Sequence, residues 1–265
     1  MNARTDAIAE ARVLRAYAGG VATLTLNRPA QFNAIDSAML DALRAAFDAV
    51  AGDRSVRVVV IAGAGRAFSP GHDLKEMLAN PGEAFAGDLF ERCSDVMMTI
   101  QRLPQPVIAR VHGIATAAGC QLVAACDLAV ASDEARFATS GINFGLFCAT
   151  PAVPVSRNIA AKRAFEMLFT GEFIDAPTAM AWGLVNRVVP AADLDRAVDA
   201  LAAAIVEKPP DVIAAGKAFF YRQLGASVET AYALASPHIA ANLVGEAAQE
   251  GLGAFVAKRK PRWED

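Results

Sequence analysis

Residues 106–132 read PVIARVHGIATAAGCQLVAACDLAVAS. They open with an apolar run, Val107–Val111, that is typical of a strand buried on both faces. A turn of small residues, Gly113–Gly119, follows and leads into a helix that begins near Cys120. Leu128–Ala131 then predicts a second buried strand. Strands that alternate with a helix in this way indicate an α/β fold with crossover connections.

The residues before this segment continue the same alternation. Val56–Ala62 is another apolar run rich in β-branched residues, and it predicts a buried strand. Two β-rich stretches near the start, residues 13–17 and 21–26, predict a hairpin. Asp36 is a suitable N-cap for a helix that ends near Val50. The first half of the chain is therefore expected to supply the sheet.

The pattern becomes helical after about Pro151. Pro237 and the glycines near it are expected to interrupt the last helix, because proline removes a backbone donor and clashes with the preceding turn. The sequence thus predicts an α/β core over residues 1–195 and a C-terminal helical region over residues 196–265. Helices are predicted at residues 83–103, 162–169, 176–182, 194–206, 210–224 and 228–257.

The composition describes a chain that can bury a large core. Of 265 residues, 54% are hydrophobic and 20% are charged, which argues against a disordered protein. The formal net charge is −3 and there is no basic stripe, so a nucleic-acid partner is not expected. No stretch reaches the roughly 20 apolar residues of a membrane-spanning helix, so membrane insertion is not expected either.

Two further features bear on the compartment and on metal binding. The first residues carry Asp6 and Glu10 and no continuous apolar run, so a secretory signal is not expected and we predict a cytoplasmic protein. The four cysteines form no CxxC pair, and three of them lie in apolar stretches. We therefore predict buried, reduced thiols and no metal site.

Two turns of small residues follow predicted strands, and each contains glycine. The first lies in AFSPGHDLKEM, residues 67–77, and the second in HGIATAAGCQL, residues 112–122. A sharp turn from a strand into a helix leaves backbone N–H groups without an internal partner. If both turns point to one place, they supply two donors for a negatively charged oxygen. Such turns also occur simply as tight connections, and spacing alone does not separate the two interpretations.

Several motifs resemble the crotonase, or enoyl-CoA hydratase/isomerase, superfamily. The segment quoted first matches one family signature, and VVVIAGAGRAFSPGHDLKEM at residues 58–77 matches another. The resemblance extends to NRPAQFNAI at residues 27–35, FTGEFIDAPTAMAWGLVNRVVP at 169–190 and AFVAKRKPRW at 254–263. Within the family, the motifs resemble the enoyl-CoA hydratase domain-containing subgroup. The resemblance implies a crotonase-like spiral of ββα units, a C-terminal helical trimerisation region, and a homotrimer or a dimer of trimers.

The resemblance implies that two backbone N–H groups hold the oxygen of an acyl-CoA thioester. They belong to His72 in the first turn and to Ala118 in the second. Both roles use the main chain, so the side chains place no restriction on them. The His72 imidazole could in addition act as an acid or base near neutral pH. An N–H that faces the ligand, however, leaves the side chain to project elsewhere.

The catalytic carboxylates of a hydratase are missing from the matching positions. One family glutamate corresponds to Gln121 and the other to Gly141, and a third position that carries Asp in some relatives is Ala149. Hydration needs one group to deprotonate water and one to deliver a proton, which neither an amide nor glycine can do. We therefore expect a poor hydratase. Gln121→Glu with Gly141→Glu is expected to restore some activity, limited by the backbone conformation at position 141.

Few residues can replace those carboxylates. Cys120 and Cys148 lie in apolar surroundings without a base nearby in the sequence. Asp73 and Glu76 follow the first turn, and Asp73 is expected to be structural. His112 precedes the second turn and is expected to support its loop. Gln121 itself can orient a water or a carbonyl group through its amide.

The resemblance also implies where coenzyme A lies. Coenzyme A enters only as part of the thioester substrate, and no covalently bound cofactor is expected. Lys75 is expected near the phosphates, and a neighbouring subunit is expected to place Phe255 and Lys258 over the adenine and pantetheine. The contacts implied within one chain are Arg28, Ala67, Ser69, Gly71, Asp73, Leu74 and Lys75.

Two functions fit these expectations. The first is an enzyme that acts on a thioester through an oxyanion hole, as an isomerase, a lyase, a decarboxylase or a thioesterase. The second is a non-catalytic acyl-CoA-binding or regulatory protein. Turnover of a panel of acyl-CoA thioesters would separate the two.

Overall fold

The structure is a computed structural model that describes residues 11–263. This part of the chain contains nine β-strands and eleven α-helices, and the strands all precede Pro190. The strands are β1 (Val13–Ala18), β2 (Val21–Leu26), β3 (Val58–Gly63), β4 (Val107–Val111), β5 (Ile114–Thr116), β6 (Leu128–Ser132), β7 (Arg136–Ala138), β8 (Ile174–Asp175) and β9 (Arg187–Val189). The helices are α1 (Ser37–Ala51), α2 (Leu74–Ala79), α3 (Glu83–Arg102), α4 (Ala118–Ala125), α5 (Ala149–Asn158), α6 (Ala161–Thr170), α7 (Ala176–Trp182), α8 (Leu194–Val206), α9 (Pro210–Leu224), α10 (Val228–Leu243) and α11 (Glu246–Val256).

Two sheets organise the first part of the chain. The larger has the strand order β1–β2–β3–β4–β6–β9, and the smaller has the order β5–β7–β8. β1 and β2 form the predicted antiparallel hairpin, while the other neighbours in the larger sheet are parallel. Parallel neighbours need crossover connections, so the predicted α/β class is confirmed. The short strands β5 and β7 to β9 were not predicted, because two or three residues are too few to show a periodicity.

Helices cover both faces of the larger sheet, as the apolar runs predict. Val59 and Ile61 of β3 pack in the main core with residues of α1 and α3. Val58 and Val60 face the other way and pack against α8. Side chains alternate between the faces of a strand, so a strand covered on both sides is apolar throughout. The predicted boundary between residues 195 and 196 falls inside α8, and this helix covers the sheet.

The predicted caps and breaks hold only in part. Asp36 caps α1 as predicted, and its Oδ1 accepts from the Met39 N–H at 2.8 Å. Pro237, in contrast, does not interrupt α10, which runs on to Leu243 and ends before Gly245. The expected break at Pro237 is therefore wrong. α10 has no buried residue among those described, so the carbonyl that proline leaves free remains open to solvent.

A buried ion pair ties α9 to the core. The Lys217 Nζ lies 2.6 Å from the Asp127 Oδ2 and also donates to the carbonyls of Ile100 and Gln105. The Tyr221 hydroxyl donates to the Asp127 Oδ1 at 2.6 Å. Burial lowers the pKa of Lys217, and the nearby Asp127 carboxylate opposes that shift. Every donor of this ammonium group thus has an acceptor inside the protein.

Two sequence predictions concern a secretory signal and a membrane-spanning helix. Residues 1–10, on which the prediction about a secretory signal rests, lie outside the described residues. Within residues 11–263, no helix combines the length and the apolar character that crossing a membrane requires.

Candidate functional site

The two glycine-containing turns lie directly against each other. Ser69 of the first turn exchanges two backbone hydrogen bonds of 3.0 Å with the second turn. A Cβ atom at Gly119 would lie 2.2 Å from the Ser69 carbonyl oxygen, so only glycine fits there. The His112 Nε2 lies 2.9 Å from the Gly65 carbonyl oxygen, which is the loop support expected of it. The two turns therefore form one rigid unit.

Two backbone N–H groups are free where the turns meet. Gly71 has a φ of +95°, and a Cβ built on it would lie 3.0 Å from the Ala118 nitrogen. The chain around Gly71 therefore runs beside the first residue of α4. Within residues 11–263, neither the His72 N–H nor the Ala118 N–H has a hydrogen-bond acceptor. These are the two donors that the resemblance predicts.

A buried asparagine holds the first turn in shape. The Asn33 side chain is fully buried, and its Nδ2 donates to the carbonyls of Ala64 and Ala67 at 2.8 Å each. Its Oδ1 accepts from the Arg28 N–H at 2.9 Å. Sequence reasoning missed this residue. Its φ of 65° lies in the left-handed region, which asparagine adopts more readily than most residues. An asparagine between two predicted elements could therefore have been recognised as a residue that shapes a turn.

Arg28 and Asp73 form an ion pair behind the first turn. The Arg28 Nη2 lies 2.9 Å from the Asp73 Oδ2, and its Nη1 lies 3.3 Å from Asp36. The Asp73 Oδ1 also caps α2 by accepting from the N–H groups of Lys75 and Glu76. Burial raises the pKa of Asp73, but the Arg28 guanidinium and the helix N–H groups outweigh burial and lower it overall. Asp73 is thus a structural anion, as expected.

A cavity of about 610 Å³ opens beside the free N–H groups. Its wall is largely apolar and includes Met77, Phe90, Phe144, Leu146 and Phe147, which the sequence reasoning did not single out. The predicted site residues on the wall are His72, Asp73, Leu74, Lys75, Ala118, Gly141, Cys148 and Ala149. Predicted site residues that are not on the wall are Arg28, Ala67, Ser69, Gly71, Gln121, Phe255 and Lys258.

Two cations, Lys75 and Arg66, lie at or beside this cavity. Lys75 lies on the wall, is exposed, and has no ion pair among the described residues. The Arg66 guanidinium, which was not predicted, lies 4.8 Å from the centre of the Phe32 ring, another wall residue. Phe255 is 83% exposed near the C-terminal end of the chain, so the contact expected of it needs a second subunit.

Gln121 lies in the first turns of α4, behind the wall. Its side chain is 2% exposed, and its Oε1 accepts a weak hydrogen bond from the Cys93 thiol at 3.9 Å. Burial raises the pKa of Cys93 to about 12, so this thiol is protonated. The Gln121 Nε2 has no acceptor among the described residues.

The neighbours of Gly141 leave no room for a side chain at this position. A Cβ atom there would lie 2.5 Å from the Leu146 carbonyl oxygen and 2.9 Å from the Cys148 Sγ. Its φ is not positive, so the obstacle to glutamate is steric contact rather than the backbone conformation that the sequence suggested. A carboxylate at position 141 therefore requires the loop through Leu146 to move, and the double substitution is not expected to restore activity.

The remaining titratable groups at the cavity are neutral near pH 7. Burial lowers the pKa of His72, partly opposed by the Ile35 carbonyl 3.3 Å from its Nδ1. The imidazole packs edge-on against Phe90, with 5.4 Å between ring centres. Burial raises the pKa of the Cys148 thiol, partly opposed by the Gly141 backbone. Of the described wall residues, Asp73 alone has a carboxylate, and Arg28 holds it.

Metal ligands are not grouped in the described part of the chain. Within residues 11–263, no three His, Cys, Asp or Glu side chains are arranged to hold a metal ion. The four cysteines are buried and unpaired, as predicted.

Comparisons with known proteins agree on one family. The sequence profile described as enoyl-CoA hydratase/isomerase matches residues 16–265. Enoyl-CoA hydratase domain-containing protein 3, mitochondrial, of Rattus norvegicus is 46% identical over 92% of this chain and 81% of its own length. The crystal structure of an enoyl-CoA hydratase of Mycobacterium smegmatis superposes with a TM-score of 0.94 and 57% identity, covering 96% of this chain and 99% of that one. The crystal structure of human enoyl-CoA hydratase domain-containing protein 3 gives a TM-score of 0.93 and 44% identity, covering 95% and 100%.

The names of the vertebrate relatives bear on location. Those of Rattus norvegicus, Mus musculus, Xenopus laevis and Homo sapiens are all named mitochondrial. This finding contradicts the cytoplasmic location predicted above. The prediction relied on the absence of an apolar run, whereas mitochondrial transit peptides are amphipathic and rich in Arg and Ser.

Proposed function

Because the chain belongs to the enoyl-CoA hydratase/isomerase family, we propose that it binds an acyl-CoA thioester by its carbonyl oxygen and that it is a poor hydratase. One observation carries this proposal. The two free N–H groups of His72 and Ala118 lie at an apolar cavity, and Asp73, which has the sole carboxylate among the described wall residues, is ion-paired.

The two donors would hold the thioester oxygen and stabilise negative charge as it develops there. Both are fixed by the packed turns, so they need no reorganisation when charge appears. Loss of one such donor typically costs about 3–4 kcal/mol of transition-state stabilisation. The apolar wall beyond them would bury the acyl chain, and the cations Lys75 and Arg66 would meet the phosphates of coenzyme A.

The residues at the three family carboxylate positions cannot transfer protons as a hydratase requires. Gln121 has no accessible proton equilibrium, Gly141 has no side chain, and Ala149 has only a methyl group. Burial raises the pKa of the Cys148 thiol, so it stays protonated near pH 7 and cannot take a proton from water. Reactions that depend mainly on the oxyanion donors, such as isomerisation, C–C cleavage, decarboxylation or thioester hydrolysis, remain compatible with the site. The alternative is a non-catalytic acyl-CoA-binding or regulatory protein.

Calorimetry with matched ligands tests the proposed binding mode. Butyryl-CoA is compared with S-butyl-CoA, the thioether that lacks the carbonyl oxygen, and with free coenzyme A and butyrate. Two hydrogen bonds contribute about 1–3 kcal/mol together, so butyryl-CoA is expected to bind at least about fivefold more tightly than the thioether. Equal affinity of the two would contradict the role of the N–H pair, and no binding of any acyl-CoA would refute the proposal.

A panel of acyl-CoA thioesters followed by mass spectrometry then separates the two interpretations. Conversion of any member supports an enzyme, and the product identifies the reaction type. Tight binding without conversion supports the regulatory alternative.

A further inference from the structure

Five exposed apolar side chains lie together at the edge of the cavity. We call Phe144, Leu146, Phe147, Phe165 and Phe169 the aromatic patch, and each of them is between 41% and 72% exposed. The centres of the Phe147 and Phe169 rings are 5.1 Å apart, and the Phe165 and Phe169 rings stack at 3.9 Å. Clustered exposed apolar side chains of this kind mark binding sites in soluble proteins.

The cavity opens onto this patch. Phe144, Leu146 and Phe147 are on the cavity wall, yet they are 72%, 46% and 41% exposed, so they form part of its rim. Phe165 and Phe169 are not on the wall, and they extend the rim outward through the contact between Phe169 and Phe147. A ligand that leaves the cavity past Phe147 would therefore meet these two rings next.

Helix α6 holds the two outer rings in place. Phe165 and Phe169 are four residues apart, so they lie on the same face of the helix, one turn apart. Met167 and Leu168 are buried in the main core and fix the helix there. The two outer rings are nearly parallel, with an interplanar angle of 10°. The surface is thus formed before a ligand arrives, which lowers the entropy cost of binding.

The chemistry of the patch selects the part of the ligand that suits it. Phenylalanine rings have no hydrogen-bonding group, so they favour an alkyl chain over phosphates. The phosphates of coenzyme A are proposed above to meet Lys75 and Arg66, and Arg66 lies over Phe32, a different part of the wall. The aromatic patch is then left for the opposite end of the ligand, the end of the acyl chain.

We propose that the aromatic patch holds the distal part of a long acyl chain, and that the site thereby prefers long-chain acyl-CoA thioesters to short-chain ones. This inference rests on the proposed function, because it takes the thioester carbonyl to be held by His72 and Ala118. Phe165 and Phe169 would act as specificity-determining residues, since they contact only a chain that is long enough to leave the cavity past Phe147.

The test is a ratio of affinities measured by calorimetry, at concentrations below those at which acyl-CoA forms micelles. Lauroyl-CoA has eight more CH₂ groups than butyryl-CoA, and a half-buried CH₂ group contributes about twofold, so wild-type protein is expected to bind lauroyl-CoA at least about 100-fold more tightly. Phe165→Ala with Phe169→Ala is expected to lower this ratio at least about tenfold.

Phe220→Ala with Leu224→Ala is the matched control. These two residues are also four positions apart on one helix, are 52% and 54% exposed, and are not on the cavity wall. The control protein is expected to keep the wild-type ratio, because the loss should follow the position of the rings and not the removal of exposed apolar surface in general.

Each outcome has a definite meaning. A smaller wild-type ratio, or a ratio that survives Phe165→Ala with Phe169→Ala, would overturn the inference while butyryl-CoA binding still supports the proposed function. An equal loss of affinity for free coenzyme A would also overturn it, because the patch would then hold the nucleotide. Failure of every thioester to bind would overturn both.

A second test uses the wild-type protein alone, in case the double variant does not fold or changes its assembly. The coenzyme A thioester of dodecanedioic acid has the same chain length as lauroyl-CoA but carries a carboxylate at the far end. It is expected to bind at least about tenfold more weakly than lauroyl-CoA, because the carboxylate would lose water on the phenylalanine rings. Equal affinity of the two would contradict the inference.

Discussion

At the residue scale, one alanine is held in a conformation that favours glycine. Ala117 has a φ of 49° and a ψ of −121°, and it precedes the first helical residue of α4. L-residues rarely adopt such a backbone, which costs about 1–3 kcal/mol where it occurs. The surrounding contacts hold it there, since the Ala117 N–H donates to the Ala138 carbonyl at 3.0 Å. This strained residue directs the next N–H, that of Ala118, to the cavity.

Ala117→Gly is therefore expected to stabilise the protein. Glycine removes the strain but loses more conformational entropy on folding, at about 0.5–1 kcal/mol, so a net gain of about 1 kcal/mol is expected. Thermal denaturation at fixed protein concentration should show a Tm higher by about 2–4 °C. Ala118→Gly is the control, because Ala118 has ordinary helical geometry and should lose stability. A lower Tm for Ala117→Gly would show that the backbone at position 117 is not strained.

The residue scale is also where the sequence was least informative. The family resemblance predicts N–H donors at His72 and Ala118, and neither N–H has a hydrogen-bond acceptor among the described residues. The motifs did not show that a Cβ at Gly141 meets the Leu146 carbonyl, or that Arg28 is held by Asp36 and Asp73. These contacts depend on how loops distant in sequence pack together, which no local pattern records.

At the element scale, the packing of α9 against the core depends on the buried ion pair between Lys217 and Asp127. The Lys217 side chain is 6% exposed and the Asp127 side chain 14% exposed, so the pair has little contact with water. Removing one partner leaves the other charge buried and uncompensated, at a typical cost of about 3–5 kcal/mol. The three acceptors around Lys217 join α9 to α3, to the loop before β4 and to Asp127 at the start of β6.

Lys217→Met is expected to destabilise the protein by about 3–5 kcal/mol. Methionine keeps most of the apolar stem but leaves Asp127 with Tyr221 and the Val107 N–H as its remaining donors. Urea denaturation measures the loss. Lys217→Met with Asp127→Asn removes both charges and should recover part of the stability. A single variant as stable as wild type would mean that the ion pair does not anchor α9.

The sequence predicted long elements better than short ones. Helices with a clear apolar stripe and strands buried on both faces were identified correctly, because their periodicity extends over many residues. The six-residue helix α2 and the strands of the smaller sheet were missed. These short elements are stabilised by the contacts around them, so their own residues show little pattern.

At the scale of the whole molecule, the C-terminal helices expose an unusual amount of apolar surface. α10 has no buried residue among those described, although its sequence is largely apolar. Val228, Tyr232, Val244, Phe255 and Val256 are each more than 70% exposed. Contiguous apolar surface of this kind marks interaction sites in soluble proteins.

We therefore expect this region to be an interface between subunits, in the homotrimer or dimer of trimers that the family resemblance implies. Light scattering coupled to size exclusion measures the mass directly. Tyr232→Glu together with Ile239→Glu, on α10, is expected to shift the population to smaller species, whereas Arg44→Glu on the exposed face of α1 should leave the mass unchanged. A stable wild-type monomer at micromolar concentration would contradict the prediction.

The most direct test of the whole account is hydration of crotonyl-CoA, measured together with binding. General acid–base catalysis contributes about 10²–10⁴-fold to the rate per group. This chain has Gln121 and Gly141 at the two positions where a family hydratase has its catalytic glutamates. Wild-type protein is therefore expected to bind butyryl-CoA but to hydrate crotonyl-CoA at least about 10²-fold more slowly than a family hydratase with both carboxylates, assayed in parallel. Hydration at the rate of that enzyme would contradict the account, because another residue would then have to supply proton transfer.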